Sequence, residues 1–268
     1  MTDIQITDSH CHLDFPDFAD ELPQVIARAQ ATGVTRMVTI CTRLRNLAQV
    51  RAIADSYAPV FFAAGTHPMS AAEEPMVNVA ELVALAAHPK FVGIGETGLD
   101  YHYTADSAAV QQESLRIHIE AARQTGLPLI IHARAADDDM ARILRDEHAA
   151  GGFSCVMHCF TSSPALAEAA LGLGFYLSAS GIAAFPKSHE IRAIFAAAPR
   201  DRILLETDAP YLAPPPYRGK RCEPAYTLHT ATKLAESLGI ELAELAAQTQ
   251  QNFDRLFSKA ATWQETTA

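Results

Sequence analysis

Positive charge is what this chain of 268 residues has least of: 21 Lys and Arg stand against 31 Asp and Glu, a net of −10. That balance excludes a protein that wraps nucleic acid by bulk charge, so any phosphate site must be local, built by a few cations or a metal. Paired cysteines are missing as well. Cys11, Cys41, Cys155, Cys159 and Cys222 are odd in number and form no C-x-x-C, which excludes a disulfide framework and fits a reducing compartment. The opening M-T-D-I-Q-I-T-D has no basic start and no apolar leader stretch. The longest uncharged stretch, Ala169–Pro186, is broken by Gly172, Gly174, Ser178, Ser180 and Gly181. It reads as a helix end, a strand and a loop rather than a membrane span. No G-x-G-x-x-G follows the first strand, which removes the dinucleotide fingerprint of an open doubly wound sheet. The expectation is a soluble, acidic, cytoplasmic protein that does not enter the membrane.

What is present is a repeating grammar in a chain that is 49% hydrophobic, enough to bury a large core. An amphipathic helix ends at a glycine and a short apolar strand follows. Leu22, Val25, Ile26 and Ala29 share a helix face before Gly33 and V-T-R-M-V-T-I. Leu115, Ile119 and Ala122 precede Gly126 and L-P-L-I-I-H. Ser163 caps a helix that has Pro164 at its first position and carries Leu166, Ala170 and Leu173. A last helix carries Leu228, Ala231, Ala235 and Leu238 before Gly239. Eight apolar strands are expected at 4–7, 34–40, 60–64, 91–95, 128–131, 154–157, 175–179 and 203–205. Their runs are continuous, as for parallel strands buried on both faces. Eight such units match a (β/α)₈ TIM barrel, expected here as a single domain over residues 1–268. The tail T-W-Q-E-T-T-A is expected to fray.

Polar residues that suit metal chemistry follow the strands directly. They are His10 and His12 in D-S-H-C-H, His67 in G-T-H-P, Glu96 in G-E-T-G-L-D, His132 and Arg134 in I-I-H-A-R, His158 in V-M-H-C-F, and Glu206 and Asp208 in L-L-E-T-D-A-P. In a barrel all these strand ends open on one rim, the C-terminal face that carries active sites. The i, i+2 spacing of His10 and His12 puts both on one side of a strand, leaving Cys11 to pack. His132 and His158 come from adjacent strands. Asp208 neighbours the first strand once the barrel closes. The Glu96 carboxylate lies between the groups, with two oxygens to bridge two cations. The set predicts a metal site for two divalent ions, His10, His12, Glu96, His132, His158 and Asp208 being the ligands. His67 is open to four roles: ligating, contacting phosphate, shuttling a proton, or a structural one. Asp8 and Asp100 are candidates for orienting an imidazole. His88, His102, His118, His148, His189 and His229 fall in helices or loops and read as surface or packing residues.

In order and spacing these motifs resemble the TatD-type metal-dependent deoxyribonucleases of the amidohydrolase-like barrels, over residues 8 to about 257. The resemblance implies that His10, His12 and Asp208 hold one metal, that His132 and His158 hold the other, and that Glu96 bridges them. It implies phosphodiester hydrolysis in DNA, as a 3′–5′ exonuclease acting on short single strands or 3′ ends through a two-metal-activated water. Asp208 is then the general base, with Glu96 and His67 as its catalytic partners. Arg134 is placed to clamp a phosphate. The basic segment 214–221, with Arg218, Lys220 and Arg221, is expected to contact the nucleic acid, and Tyr101, Tyr103 or Tyr217 to stack on an unpaired base. Where the family's loop usually reads R-G-K-R-N-E-P, this chain has Cys222 in place of Asn. Imidazoles favour Zn²⁺, Mn²⁺ or Fe²⁺ over Mg²⁺, whereas the resemblance implies Mg²⁺ dependence; Mg²⁺ or Mn²⁺ is expected in activity and Zn²⁺ as a bound ion. A closed barrel needs no partner strand, so a monomer is expected. The competing readings are a hydrolase of an ester, lactone or amide, D-aminoacyl-tRNA included, and a non-enzymatic metal-holding accessory protein. The carboxylated-lysine bridge of many amidases is missing, because Lys90 precedes its strand.

Overall fold

A computed structural model describes residues 4–264. Its strands are β1 (Ile6–Cys11), β2 (Val34–Cys41), β3 (Val60–Ala64), β4 (Phe91–Asp100), β5 (Leu129–Arg134), β6 (Cys155–Met157), β7 (Tyr176–Ala179) and β8 (Ile203–Leu205). They lie in one eight-stranded parallel sheet in the order of the sequence. The sheet is drawn together between its first and last strands by a parallel bridge, Cys11 to Ala209. The helices are α1 (Leu22–Ala31), α2 (Leu47–Ser56), α3 (Val79–Leu85), α4 (Ala108–Thr125), α5 (Asp137–Ala150), α6 (Pro164–Gly172), α7 (His189–Ala197), α8 (Thr227–Leu238), α9 (Leu242–Leu256) and α10 (Ser258–Thr262). This is a (β/α)₈ barrel.

Local sequence explains the elements. The Ser163 side chain accepts the Leu166 N–H, and Pro164 supplies a first-turn φ at no hydrogen-bond cost. Gly126 and Gly239 end α4 and α8 in the left-handed conformation that a glycine adopts without strain. Alternate strand residues face two cores. Val34, Met37, Val60, Phe62, Leu129 and Ile131 pack outward against helices. Val38, Ile40, Phe61, Ala63, Val92, Ile130, Val156, Tyr176 and Leu204 fill the barrel with Phe253, Leu256, Phe257 and Ala260.

The structure corrects several expectations. β1 runs to Cys11 rather than stopping at residue 7, and β4 runs to Asp100 rather than 95. A search for apolar runs ends at the first polar residue, whereas a parallel ladder pairs backbone whatever the side chain. Two helices, α9 and α10, follow the one expected to be last. The tail is ordered as far as Trp263, whose ring meets Phe61 edge-on at 5.5 Å and lies under Lys90 Nζ at 4.7 Å; residues 265–268 lie outside the described range, as do 1–3 at the other end. No helix among the described residues is long and apolar enough to cross a membrane.

Candidate metal centre

Bulges aim the ligand-type residues. The β1–β2 ladder is interrupted between Asp8 and Cys11. Cys11 packs in the outer core while His10 and His12 both reach the acidic cluster at the mouth. An irregularity at such a place commonly re-aims a side chain. β4 slips against β5 between Ile94 and Thr97, the segment that carries Glu96. Gly98, at φ +142°, is pressed against β5 so closely that a Cβ there would lie 1.9 Å from His132 O; only glycine allows that approach. The segment after β8 is tied to β1 by Asp208 N–H to His10 O at 2.9 Å and His12 N–H to Ala209 O at 2.8 Å.

Glu96 is the hub. Its Oε1 lies 2.8 Å from His158 Nε2, 3.3 Å from His132 Nδ1 and 3.3 Å from His67 Nε2, and its Oε2 lies 3.4 Å from His10 Nε2. Asp208 Oδ1 sits 3.2 Å from His12 Nε2 and 3.7 Å from His10 Nε2. The rings of His10 and His158 stack at 3.8 Å. All six expected ligands therefore meet at one mouth, with His67 beside them.

Electrostatics reinforce the grouping. Burial alone would raise the Glu96 carboxyl, but His158, His67 and His10 hold it well below the ordinary carboxylate range. Burial likewise works against ionised Asp208, and His12 brings it below its usual value. His158 is carried well above the ordinary imidazole range, against burial, by Glu96 and Glu206. Burial and the neighbouring His158 lower His10. A buried site that gathers protons in this way exchanges them for a cation when one binds.

The residues fit divalent ions. Bonds of about 2.0–2.2 Å to N and O put donors about 3.3–3.6 Å apart around a four-coordinate ion and about 2.9 Å apart around a six-coordinate one. The 2.8–3.7 Å separations above span both values. Both ring nitrogens of His10, together with His158 Nε2, are buried and, although two of them approach Glu96, make no well-aligned hydrogen bond among the described residues. Buried polar atoms left in this way are costly unless something completes their coordination.

Supporting contacts lie behind the cluster. Asp100 does what was expected of it: its Oδ2 lies 3.1 Å from His132 Nε2, while Oδ1 accepts the His102 and Tyr103 N–H groups and closes the loop. Asp8 does not orient an imidazole. It accepts from Thr207 N–H at 2.9 Å and Oγ1–H at 2.6 Å, pinning β1 to the end of β8. Burial pushes the Asp8 carboxyl up to about 8 in spite of those bonds. Glu206 has a role that its place in the sequence leaves open. It is fully buried, with Oε1 3.3 Å from His158 Nδ1. Its i, i+2 spacing with Asp208 was the available signal.

The cluster opens on a cleft of about 1050 Å³ walled by Phe15, Arg43, Met69, Tyr103, Arg134 and Tyr211 among others. Tyr103 and Tyr211 are 57% and 54% exposed, and the Arg134 guanidinium stands 4.7 Å over the Tyr103 ring. Phe15 and Tyr211, which no sequence motif marks, meet edge-to-face at 5.9 Å. The other candidate contacts lie off the cleft walls. The Tyr101 hydroxyl donates to Asp139. Tyr217 is stacked on Tyr226 at 4.0 Å. Arg218 covers Phe185, Lys220 lies near Tyr217, and Arg221 donates to Asp17 O and pairs with Glu21. Cys222 is fully buried, and its N–H donates to Pro210 O.

Comparison with known proteins gives a consistent result. Residues 7–258 match the sequence profile of the TatD-related DNases. An Escherichia coli protein described as the metal-dependent hydrolase YcfH is 40% identical over 257 residues, covering 94% of this chain and 95% of the relative. A protein of Cronobacter turicensis described as the 3′-5′ ssDNA/RNA exonuclease TatD is 35% identical over 249 residues, covering 91% and 94%. The crystal structure of the E. coli TatD homologue YjjV superposes with a TM-score of 0.89 at 28% identity, over 96% of this chain and 99% of that one.

Proposed function

We propose that this chain, which belongs to the family of TatD-related DNases, removes nucleotides from the 3′ ends of single-stranded DNA. By its family it is a metal-dependent hydrolase; the substrate and the direction of digestion are the proposed part. The observation that carries the reading is the convergence of five imidazoles and Asp208 around one carboxylate, Glu96, at the floor of an aromatic-rimmed cleft. A relative described as an exonuclease supports the nucleic-acid substrate.

In this reading His10, His12 and Asp208 would hold one divalent ion and His132 and His158 a second, with Glu96 available to both. Such ions make water acidic enough to attack at neutral pH and neutralise phosphoryl oxygens. Zn²⁺ suits the imidazole-rich set as the bound ion, with Mg²⁺ or Mn²⁺ supporting turnover. The chain's own groups do the rest. Asp208, held ionised by His12, accepts the proton of the attacking water. Arg134, on the cleft wall and free of any carboxylate partner among the described residues, clamps a phosphate oxygen. Tyr103 and Tyr211, both more than half exposed on the cleft wall, are the rings on which unpaired bases stack. A duplex hides its base faces, so this rim favours a single strand.

The competing amidase reading would be favoured by the carboxylated lysine that many amidases use as a bridge. No lysine lines the cleft among the described residues, and Lys90 donates to Ala54 O and Tyr57 O. The test uses purified protein of measured metal content and single-stranded DNA labelled at one end. Loss of nucleotides from the 3′ end, abolished in Glu96→Ala, is the expected result. Equal digestion by Glu96→Ala would refute the proposal.

A further inference from the structure

The five imidazoles around Glu96 are not wired alike. Three place one nitrogen on an acceptor behind the cluster: His12 Nδ1 on Ile40 O at 3.4 Å, His132 Nε2 on Asp100 Oδ2 at 3.1 Å and His158 Nδ1 on Glu206 Oε1 at 3.3 Å. Once such a ring gives up its second proton, as ligation requires, the acceptor claims the one that remains and the other nitrogen presents its lone pair to the cluster. His10 has no acceptor behind it: neither nitrogen makes a well-aligned hydrogen bond among the described residues, and Nε2 faces Glu96. His67 is wired in the opposite sense. Its Nδ1 accepts the Met69 N–H at 3.2 Å. A ring that accepts at Nδ1 is neutral and carries its proton on Nε2, the atom 3.3 Å from Glu96 Oε1.

By distance alone His67 groups with Glu96 and His132 as a third set of donors for a cation. Proton bookkeeping opposes this. Coordination through Nε2 would drive the proton to Nδ1, where it would face the Met69 N–H donor to donor. The loop is also pinned from behind, by Thr66 N–H to His118 Nε2 at 3.0 Å and His67 N–H to Thr42 O at 3.0 Å. Met69 lines the cleft together with His67.

We propose that His67 is not a metal ligand but a neutral N–H donor in the cleft wall, resting on Glu96 in the free protein and turning to a phosphoryl oxygen when a phosphodiester is bound. The second half rests on the phosphodiester reading; the first half does not. No bond forms or breaks at His67, and its proton stays on Nε2.

The direct test is ¹⁵N-histidine NMR of the Zn²⁺-loaded protein, with the His67 signals identified by their loss in His67→Gln. The expected result is a protonated Nε2 and an unprotonated Nδ1 before and after loading. A metal-bound Nε2 with the proton on Nδ1 would overturn the assignment. Elemental analysis gives an independent readout. His67→Gln is expected to keep the wild-type ion content while His12→Ala loses part of it; loss of an ion from His67→Gln also overturns the assignment. In turnover, His67→Ala is expected to lower kcat by about 10²–10³, the usual cost of removing one donor to transition-state charge. His67→Gln, which restores an N–H near the same place, is expected to recover at least about tenfold of that loss. If the NMR and metal results hold but wild-type protein cleaves no phosphodiester, the donor assignment stands and the phosphoryl half fails.

Discussion

His118 makes stability depend on pH in a calculable way. The ring lies fully buried in α4, with Nδ1 2.7 Å from Ser114 O and Nε2 accepting the Thr66 N–H. Both nitrogens are therefore committed to the neutral ring, and burial lowers its pKa from 6.5 to about 4. Below pH 6.5 the unfolded chain takes up a proton that the folded one refuses, so stability falls as pH falls and the loss is complete near pH 4. The full gap of about 2.5 units corresponds to about 3 kcal/mol, of which about 2 kcal/mol is lost between pH 7.5 and pH 5. His118→Leu removes the titration and leaves the Thr66 N–H unpaired, at a cost of about 1–3 kcal/mol at pH 7.5. Its deficit against wild type should therefore shrink by about 2 kcal/mol at pH 5. Urea unfolding of both proteins with chelator present, at the two pH values, reads this difference, and the titrations of the site imidazoles largely cancel. An equal loss of stability in both proteins would refute the argument.

Other outcomes follow from the site. Gly98→Ala places a methyl on His132 O and is expected to cost more than about 4 kcal/mol or to prevent folding, as read by thermal denaturation. Tyr103→Ala and Tyr211→Ala are each expected to raise KM for single-stranded DNA by about 5–100-fold while ion content is unchanged, because a stacked base is worth about 1–3 kcal/mol. Imidazoles must be neutral to ligate, so metal-dependent activity should decline below about pH 6, and full activity at pH 5 would count against this ligand set. Removal of ions by chelation should abolish hydrolysis, with recovery on adding Mn²⁺ or Mg²⁺.

The rim was legible because ligand-type residues follow apolar runs in a fixed way. His10, His12, Glu96, His132, His158 and Asp208 each come at or just past the end of a run that burial on both faces demands, and strand order then fixes which of them are neighbours. Residues whose partners are remote in the chain were not legible. The basic segment looked like an open patch, yet Arg221 is claimed by Glu21, about 200 positions earlier, and Arg218 by an aromatic ring. Tyr101 and Tyr103 are two apart and similar in composition of surroundings, but Asp139 on α5 ties down the first and leaves the second on the cleft. The tautomer of His67 depends on a main-chain N–H two residues on, which no residue type announces.

The barrel's floor and its mouth come from segments far apart in the chain. Phe253, Leu256, Phe257 and Ala260 complete the interior packing that begins with Val38 and Ile40, whereas every expected ligand, from His10 to Asp208, precedes α9. A chain cut before α9 would keep all its ligand-type side chains while Phe61, Ile130 and Leu204 lost apolar cover on the floor side. The dry centre behind the mouth thus depends on apolar side chains with no chemistry of their own.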